Sequence, residues 1–318
     1  MIKEKIVIGI DTSNYTTSVA LMALDGGLIA NEKHLLTVKP GERGLRQSDA
    51  LFSHTVNLPM AMKSIEPLIK DREIVAVGVS SRPRNQDGSY MPCFLAGMSV
   101  AQGISTALGA PLYQFSHQCG HIMAAVYSSG NWELLDGEFA AFHISGGTTE
   151  LVKVKKSGNG FIADIIGETA DLNAGQVIDR VGVYLGLPFP AGPSVEREAL
   201  KNTKPVPKKK ISIKDMRLNL SGLENMAVKL YDETGDKPLV CAFVLDYIGR
   251  AIAKLMEEYE NIYGKSRFVC AGGVMSNLII KKMLSESYDV CFAEPALSSD
   301  NAVGIAALAL REYKSEIK

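Results

Sequence analysis

Residues 6–10 form an apolar, branched run that ends on Asp11, residues 18–24 form a second such run, and the positions between them, 12–17, are polar. That pattern predicts a β-hairpin opening a sheet. A third extended run at 27–34 completes a meander ahead of a loop around 40–44 that carries Pro40, Gly41 and Gly44. Helical spacing follows over 53–68, then a buried strand over 74–80. Residues 91–108, rich in small and apolar side chains, predict a helix that returns across the sheet, and 111–113 opens the next strand. The first part of the chain therefore reads β-β-β-α-β-α-β followed by a helix.

The pattern then begins again. Residues 139–144 are an apolar strand, Gly146 and Gly147 a turn, 150–155 a second strand and 161–165 a third. Farther on, 267–271 is a strand running into Gly272 and Gly273, 278–284 a helix, 288–292 a last strand and 301–314 a closing helix. Two lobes that each start with a three-strand meander and finish with alternating strands and helices describe a duplicated α/β fold, with a ligand cleft expected between the halves. The expected boundaries are 1–115 for the first lobe and 116–318 for the second, with a helical and basic-loop insertion around 170–225.

Composition narrows the functional classes. A chain of 318 residues with 46% hydrophobic and 22% charged positions suits two compact domains and excludes disordered, collagenous and coiled-coil classes. Lys plus Arg number 34 against 35 Asp plus Glu, so nucleic acid must dock on a local patch rather than a global field. The best local patch is 204–214, with Lys204, Lys208, Lys209, Lys210 and Lys214; the alternative is a solvated surface loop. The cysteines, Cys93, Cys119, Cys241, Cys270 and Cys291, are odd in number and widely spaced, and read as reduced core thiols. No apolar run spans a bilayer and no leader pattern opens the chain, so a cytoplasmic protein without membrane partners is expected.

Several segments carry chemistry. The first turn, Asp11-Thr12-Ser13-Asn14-Tyr15-Thr16-Thr17-Ser18, sets hydroxyls and a carboxylate where phosphate oxygens or a hydrated cation can be held; alone it is equally a polar hairpin. Its counterpart, Ser145-Gly146-Gly147-Thr148-Thr149, lets a ligand approach a backbone without Cβ atoms. His117 and His121 share one face of a helix and can share one cation, with Asp300 as a candidate third ligand or simply a helix N-cap. The helix holding Asp179 leads to a shaped turn with Gly192, which suits ribose hydroxyls, while Gly272, Gly273 and Asn277 form a strand, turn and helix start suited to phosphates or base.

Taken in order, these segments resemble the TsaD family, metal-dependent transferases of the actin-like superfamily that make threonylcarbamoyladenosine in tRNA. The most specific pieces are the paired histidines, Ser145-Gly146-Gly147, Gly167-Glu168-Thr169, the turn from Pro190 to Pro193, Leu220-Ser221-Gly222-Leu223, Gly272-Gly273-Val274 with Asn277, and Asp300-Asn301-Ala302. The resemblance implies an actin-like ATPase fold of ribonuclease-H-like lobes, and a divalent metal, iron or zinc, on His117, His121 and Asp300. It further implies ATP, ADP or threonylcarbamoyl-adenylate on Ser145, Gly146, Gly147, Thr148, Thr149, Asp179, Gly192, Gly272, Gly273 and Asn277. Asp11 and Glu168 are the expected catalytic carboxylates. The implied activity moves a threonylcarbamoyl group to the N6 amine of the tRNA adenosine next to the anticodon, with TsaB-like and TsaE-like proteins as partners.

The chain departs from the family pattern at particular positions. The usual first turn, Glu-Thr-Ser-Cys-Asp-Glu-Thr, is here Asp11-Thr12-Ser13-Asn14-Tyr15-Thr16-Thr17; Arg82-Pro83-Arg84 replaces a Gly-Pro-Gly loop; and Thr148 stands where a histidine is usual. Leu172, Asn173 and Gln176 occupy places where acids or small residues are typical. Two other expectations follow from these losses of charge: a carbamoyl or acyl transferase with another acceptor, or a nucleotide-binding regulatory paralogue with weak catalysis.

Overall fold

The computed structural model describes residues 3–13, 15–37, 45–86, 88–157, 160–298 and 301–317. The expected loop at 40–44, together with Asn14 and Asp300, lies outside them. The chain divides into two compact units, one of Met1–Gly137, Lys155–Ala163 and Ser299–Lys318, the other of Glu138–Val154 and Asp164–Ser298.

The first unit opens as the hydrophobic pattern predicts. Strands β1 (Glu4–Thr12) and β2 (Thr16–Ala23) pair antiparallel around the polar turn, and β3 (Leu28–Leu35) completes the meander. Helix α1 (Gln47–Ile69), β4 (Arg72–Arg82), α2 (Phe94–Leu108), β5 (Leu112–Ser116) and α3 (His117–Ser129) follow. The sheet order is β3-β2-β1-β4-β5, with β4 parallel to both β1 and β5. Ile6, Ile8 and Ile10 of β1 bury one face of the sheet with Leu58, Ala61 and Ile65 of α1 and Ala96 and Ala101 of α2. Each such fully buried branched side chain contributes about 1.5–3 kcal/mol of transfer free energy.

The second unit repeats the scheme. Strands β6 (Glu138–Ile144), β7 (Thr149–Ser157) and β8 (Gly160–Thr169) are followed by α4 (Ala174–Tyr184) and α5 (Gly192–Ala199). Two short strands, β9 (Ile213–Lys214) and β10 (Arg217–Leu218), then lead into α6 (Ser221–Thr234) and α7 (Lys237–Tyr263). The remaining elements of this unit are β11 (Phe268–Ala271), α8 (Leu278–Ser285), β12 (Val290–Phe292) and the single turn α9 (Pro295–Ser298), and α10 (Val303–Glu316) follows in the chain. The sheet order is β12-β11-β6-β7-β8-β10-β9, with β11 parallel to β6 and β12. Helix α7 starts where Asp236 caps the Leu239 amide and is buried along most of its length.

Helix α10 belongs to the first unit, and glycines explain how. A Cβ on Gly304 would lie 1.9 Å from the Gly120 carbonyl oxygen of α3, and one on Gly9 would lie 2.5 Å from the Ala306 amide nitrogen. Backbone therefore packs on backbone where α10 meets β1 and α3. This packing draws 117–137 and 301–317 into the first unit.

Candidate functional site

In the first unit, the parallel pairing of β1, β4 and β5 brings three strand ends to one edge. Ile10 pairs with Val79 and Ser80 with Phe115, so Asp11, Ser80 and the start of α3 meet there. Carboxyl ends of parallel strands are where open α/β sheets hold ligands. Asp11 is fully buried. Its Oδ1 accepts a hydrogen bond from the Ser80 hydroxyl and lies 3.1 Å from Nδ1 of His117. His117 is the first residue of α3 and His121 lies one turn on, with their Nε2 atoms 3.0 Å apart.

This arrangement fits two ligands of one metal ion. Two imidazole nitrogens on a single zinc or similar ion stand about 2.9–3.4 Å apart for bond lengths near 2.0–2.1 Å and angles from octahedral to tetrahedral. A carboxylate behind the far ring nitrogen is the usual outer partner of such a ligand. Asp11 Oδ2 is buried without a hydrogen-bond partner. Left so, it costs about 1–3 kcal/mol, a cost that a nearby water or cation removes. Among the described residues no set of three or more His, Cys, Asp or Glu is arranged around a metal position; Asp300, the expected third ligand, is not among them.

The second unit holds the expected nucleotide residues. The turn after β6 is closed by the Ser145 amide donating to the Thr148 carbonyl at 2.8 Å and by the Gly147 amide donating to the Ser145 hydroxyl at 3.3 Å. It is tied to the start of α4, where the Ala174 amide donates to the buried Thr149 hydroxyl at 2.9 Å and the Gly175 amide to the Ser145 carbonyl at 3.2 Å. A Cβ on Gly146, Gly147, Gly192 or Gly273 would meet nothing within 4 Å. Packing does not demand glycine at these positions; they leave bare backbone open to a ligand. Gly272 differs: its φ is +101° and a Cβ would lie 2.2 Å from the Ile144 carbonyl oxygen, so the protein's own backbone requires it.

Two expected nucleotide contacts already serve the fold. Asp179 Oδ1 accepts from the Ala191 amide at 2.7 Å and so shapes the turn that contains Gly192; burial raises its pKa, opposed by the Ala191 and Gly192 amides. Asn277 caps α8, its Oδ1 accepting from the Ile279 and Ile280 amides at 3.1 Å each. Glu168, on β8, is ion-paired with Arg217 of β10 at 2.9 Å and its side chain is 40% exposed.

Other groups near the first turn were not singled out by motif. His54, on α1, is fully buried with Nδ1 2.7 Å from the Thr17 hydroxyl, while its Nε2 and the Ser13 hydroxyl are buried without partners. Burial lowers the His54 pKa against the opposing pull of the Ser13 carbonyl and Asp11. The available sequence signal was a histidine on the apolar face of a predicted helix. In the basic stretch, Lys204 pairs with Asp236 and Lys208 with Asp246, leaving Lys209, Lys210 and Lys214 exposed. Among the described residues no helix is long and apolar enough to cross a membrane.

The tRNA N6-adenosine threonylcarbamoyltransferase of Streptococcus suis (strain 05ZYH33) is 29% identical, over 99% of this chain and 95% of that protein. That of Neorickettsia sennetsu (strain ATCC VR-367 / Miyayama) is 26% identical, over 98% and 94%. Among solved structures, component A of the Acidaminococcus fermentans (R)-2-hydroxyglutaryl-CoA dehydratase superposes with a TM-score of 0.57 over 97% of this chain and 99% of that one, at 16% identity. The activator of 2-hydroxyisocaproyl-CoA dehydratase from Clostridium difficile, with bound ADPNP, gives 0.53 over 98% and 97%, at 14%. These likenesses establish the actin-like α/β fold. The family model described as "TsaD: tRNA N6-adenosine threonylcarbamoyltransferase" matches residues 48–307, and the chain belongs to this family of transferases.

Proposed function

We propose that the chain transfers the threonylcarbamoyl group of threonylcarbamoyl-adenylate to the N6 amine of the tRNA adenosine next to the anticodon. The observation that carries this reading is the family match across 48–307, which contains both histidines and every expected nucleotide residue. His117, His121 and Asp300 would hold a divalent iron or zinc ion, and the chemistry it would supply is that of a Lewis acid. The chain's own groups bind and orient. The open backbone at Gly146 and Gly147 takes the phosphate, with amides as donors; Thr148, Thr149, Gly272, Gly273 and Asn277 frame the adenylate; and the turn that Asp179 shapes brings Gly192 to the ribose. ATP or ADP occupies the same residues between turnovers.

Glu168 remains the candidate for proton movement at the attacking amine, with Arg217 holding its carboxylate. Exposed Lys209, Lys210 and Lys214 meet tRNA phosphates, a contact that weakens with salt. TsaB-like and TsaE-like proteins complete a cytoplasmic assembly. A protein partner is supported by the exposed apolar row Phe52, Val56 and Met60 on α1, at helical spacing. The test is genetic: in cells depleted of their own enzyme, expression of this chain restores threonylcarbamoyladenosine in tRNA and the His117→Ala variant does not. Unchanged depletion with well-expressed protein and its cognate partners would overturn the assignment.

A further inference from the structure

We propose that Asp11 is a positioning residue for His117, fixing its ring so that Nε2 presents a lone pair toward His121, and does not itself touch the substrate. The proposal rests on the metal reading above. A carboxylate only accepts hydrogen bonds, so the 3.1 Å approach of Asp11 Oδ1 to His117 Nδ1 puts the proton of the neutral ring on Nδ1. Nε2 then carries the lone pair, and it is Nε2 that stands 3.0 Å from Nε2 of His121. On this assignment His121 would be the donor in that contact, and a cation held by the pair would take the place of its Nε2 proton.

The carboxylate is itself held. Ser80, near the end of β4, donates to the same Oδ1, and Asp11 lies within the fully buried run of β1, with Ile10 before it and Thr12 after it also buried, so neither rotation nor retreat is open to it. Its charge answers a second problem. His117 opens α3, where the positive end of the helix dipole opposes a cation, and a buried carboxylate offsets that field. A group this enclosed, with one oxygen committed to His117 and Ser80, is poorly placed to exchange protons with a bulky nucleoside and well placed to set a ring.

The experiment compares the full-length wild-type protein with Asp11→Asn, which keeps the shape and removes the charge, and with Ser80→Ala, which removes the other bond to Oδ1 without touching His117. Zinc affinity is measured by competition with a chromophoric chelator, and ring tautomers are read from the imidazole nitrogen shifts of the metal-free proteins. The proposal predicts the Nδ1-protonated form of His117 in wild type and Ser80→Ala, a mixture in Asp11→Asn, and zinc affinity about 10–100-fold weaker in Asp11→Asn alone. Folded Asp11→Asn with wild-type tautomer and affinity within twofold of wild type would overturn it. Wild-type protein that binds no zinc or iron would sink the metal reading instead, while the tautomer comparison would still decide the role of Asp11.

Discussion

Thr17 on β2 and His54 on α1 meet in a buried hydrogen bond of 2.7 Å between the Thr17 hydroxyl and His54 Nδ1. Burial holds the His54 pKa below its ordinary value, with the Ser13 carbonyl and Asp11 pulling the other way. The unfolded chain therefore takes up this proton first as pH falls, and stability is lost on acidification below the ordinary histidine pKa of about 6.5. His54→Gln flattens that part of the stability profile, and lowers stability at pH 7.5 by about 1 kcal/mol through the altered bond. Denaturant midpoints at pH 7.5 and 5.5 check both.

Asp171, just past β8, accepts from the amides of Leu172, Leu220 and Ser221 and from the Ser221 hydroxyl at 2.6 Å, anchoring the start of α6. Burial raises its pKa, but these donors outweigh it and bring the group to about 2. The folded form has the lower pKa, so the stabilisation is present above about pH 4 and lost as pH falls toward 2. Because the residue is exposed, the expected loss in Asp171→Ala at pH 7 is only about 1 kcal/mol, read from the denaturant midpoint.

Gly272 and Gly147 separate fold from ligand. Gly272→Ala forces a side chain into φ +101° and against the Ile144 carbonyl, so a loss above about 3 kcal/mol or failure to fold is expected. Gly147→Ala meets open space, so thermal stability changes by less than about 0.5 kcal/mol while nucleotide affinity falls at least tenfold if phosphate lies there. Melting curves with and without ATP distinguish the two variants.

The thiols are chemically quiet. Burial pushes Cys93 up to about 11 and Cys241 up to about 12, and raises Cys119 and Cys270 as well. None of the five is in a disulfide, and only Cys291 is half-buried rather than buried. Thiol titration of the native protein at pH 8 labels Cys291 first and the other four only after unfolding.

What the sequence disclosed follows from the range of the interactions. The β1–β2 hairpin and the four-residue spacing of His117 and His121 are local, so periodicity reveals them. Ser80 and His54 reach their partners across 69 and 37 residues, and no local pattern records such meetings. Helix α7 was not singled out because residues 239–249 are buried all round and show no amphipathic stripe. The return of α10, last in sequence order, to the first unit depends on Gly9 and Gly304 allowing backbone contact, which no local pattern records. Asp179 and Asn277 show the converse: residues read as ligand contacts hold a turn and a helix start of the fold itself.

The central claim is tested most directly by incubating the purified, metal-loaded protein and its companion subunits with threonine, bicarbonate, ATP, the adenylate-forming enzyme and unmodified tRNA, then analysing the nucleosides by mass spectrometry. The account predicts threonylcarbamoyladenosine with the wild-type protein and none with His117→Ala. Absence of the modified nucleoside from a preparation shown to hold metal and bind nucleotide would contradict it.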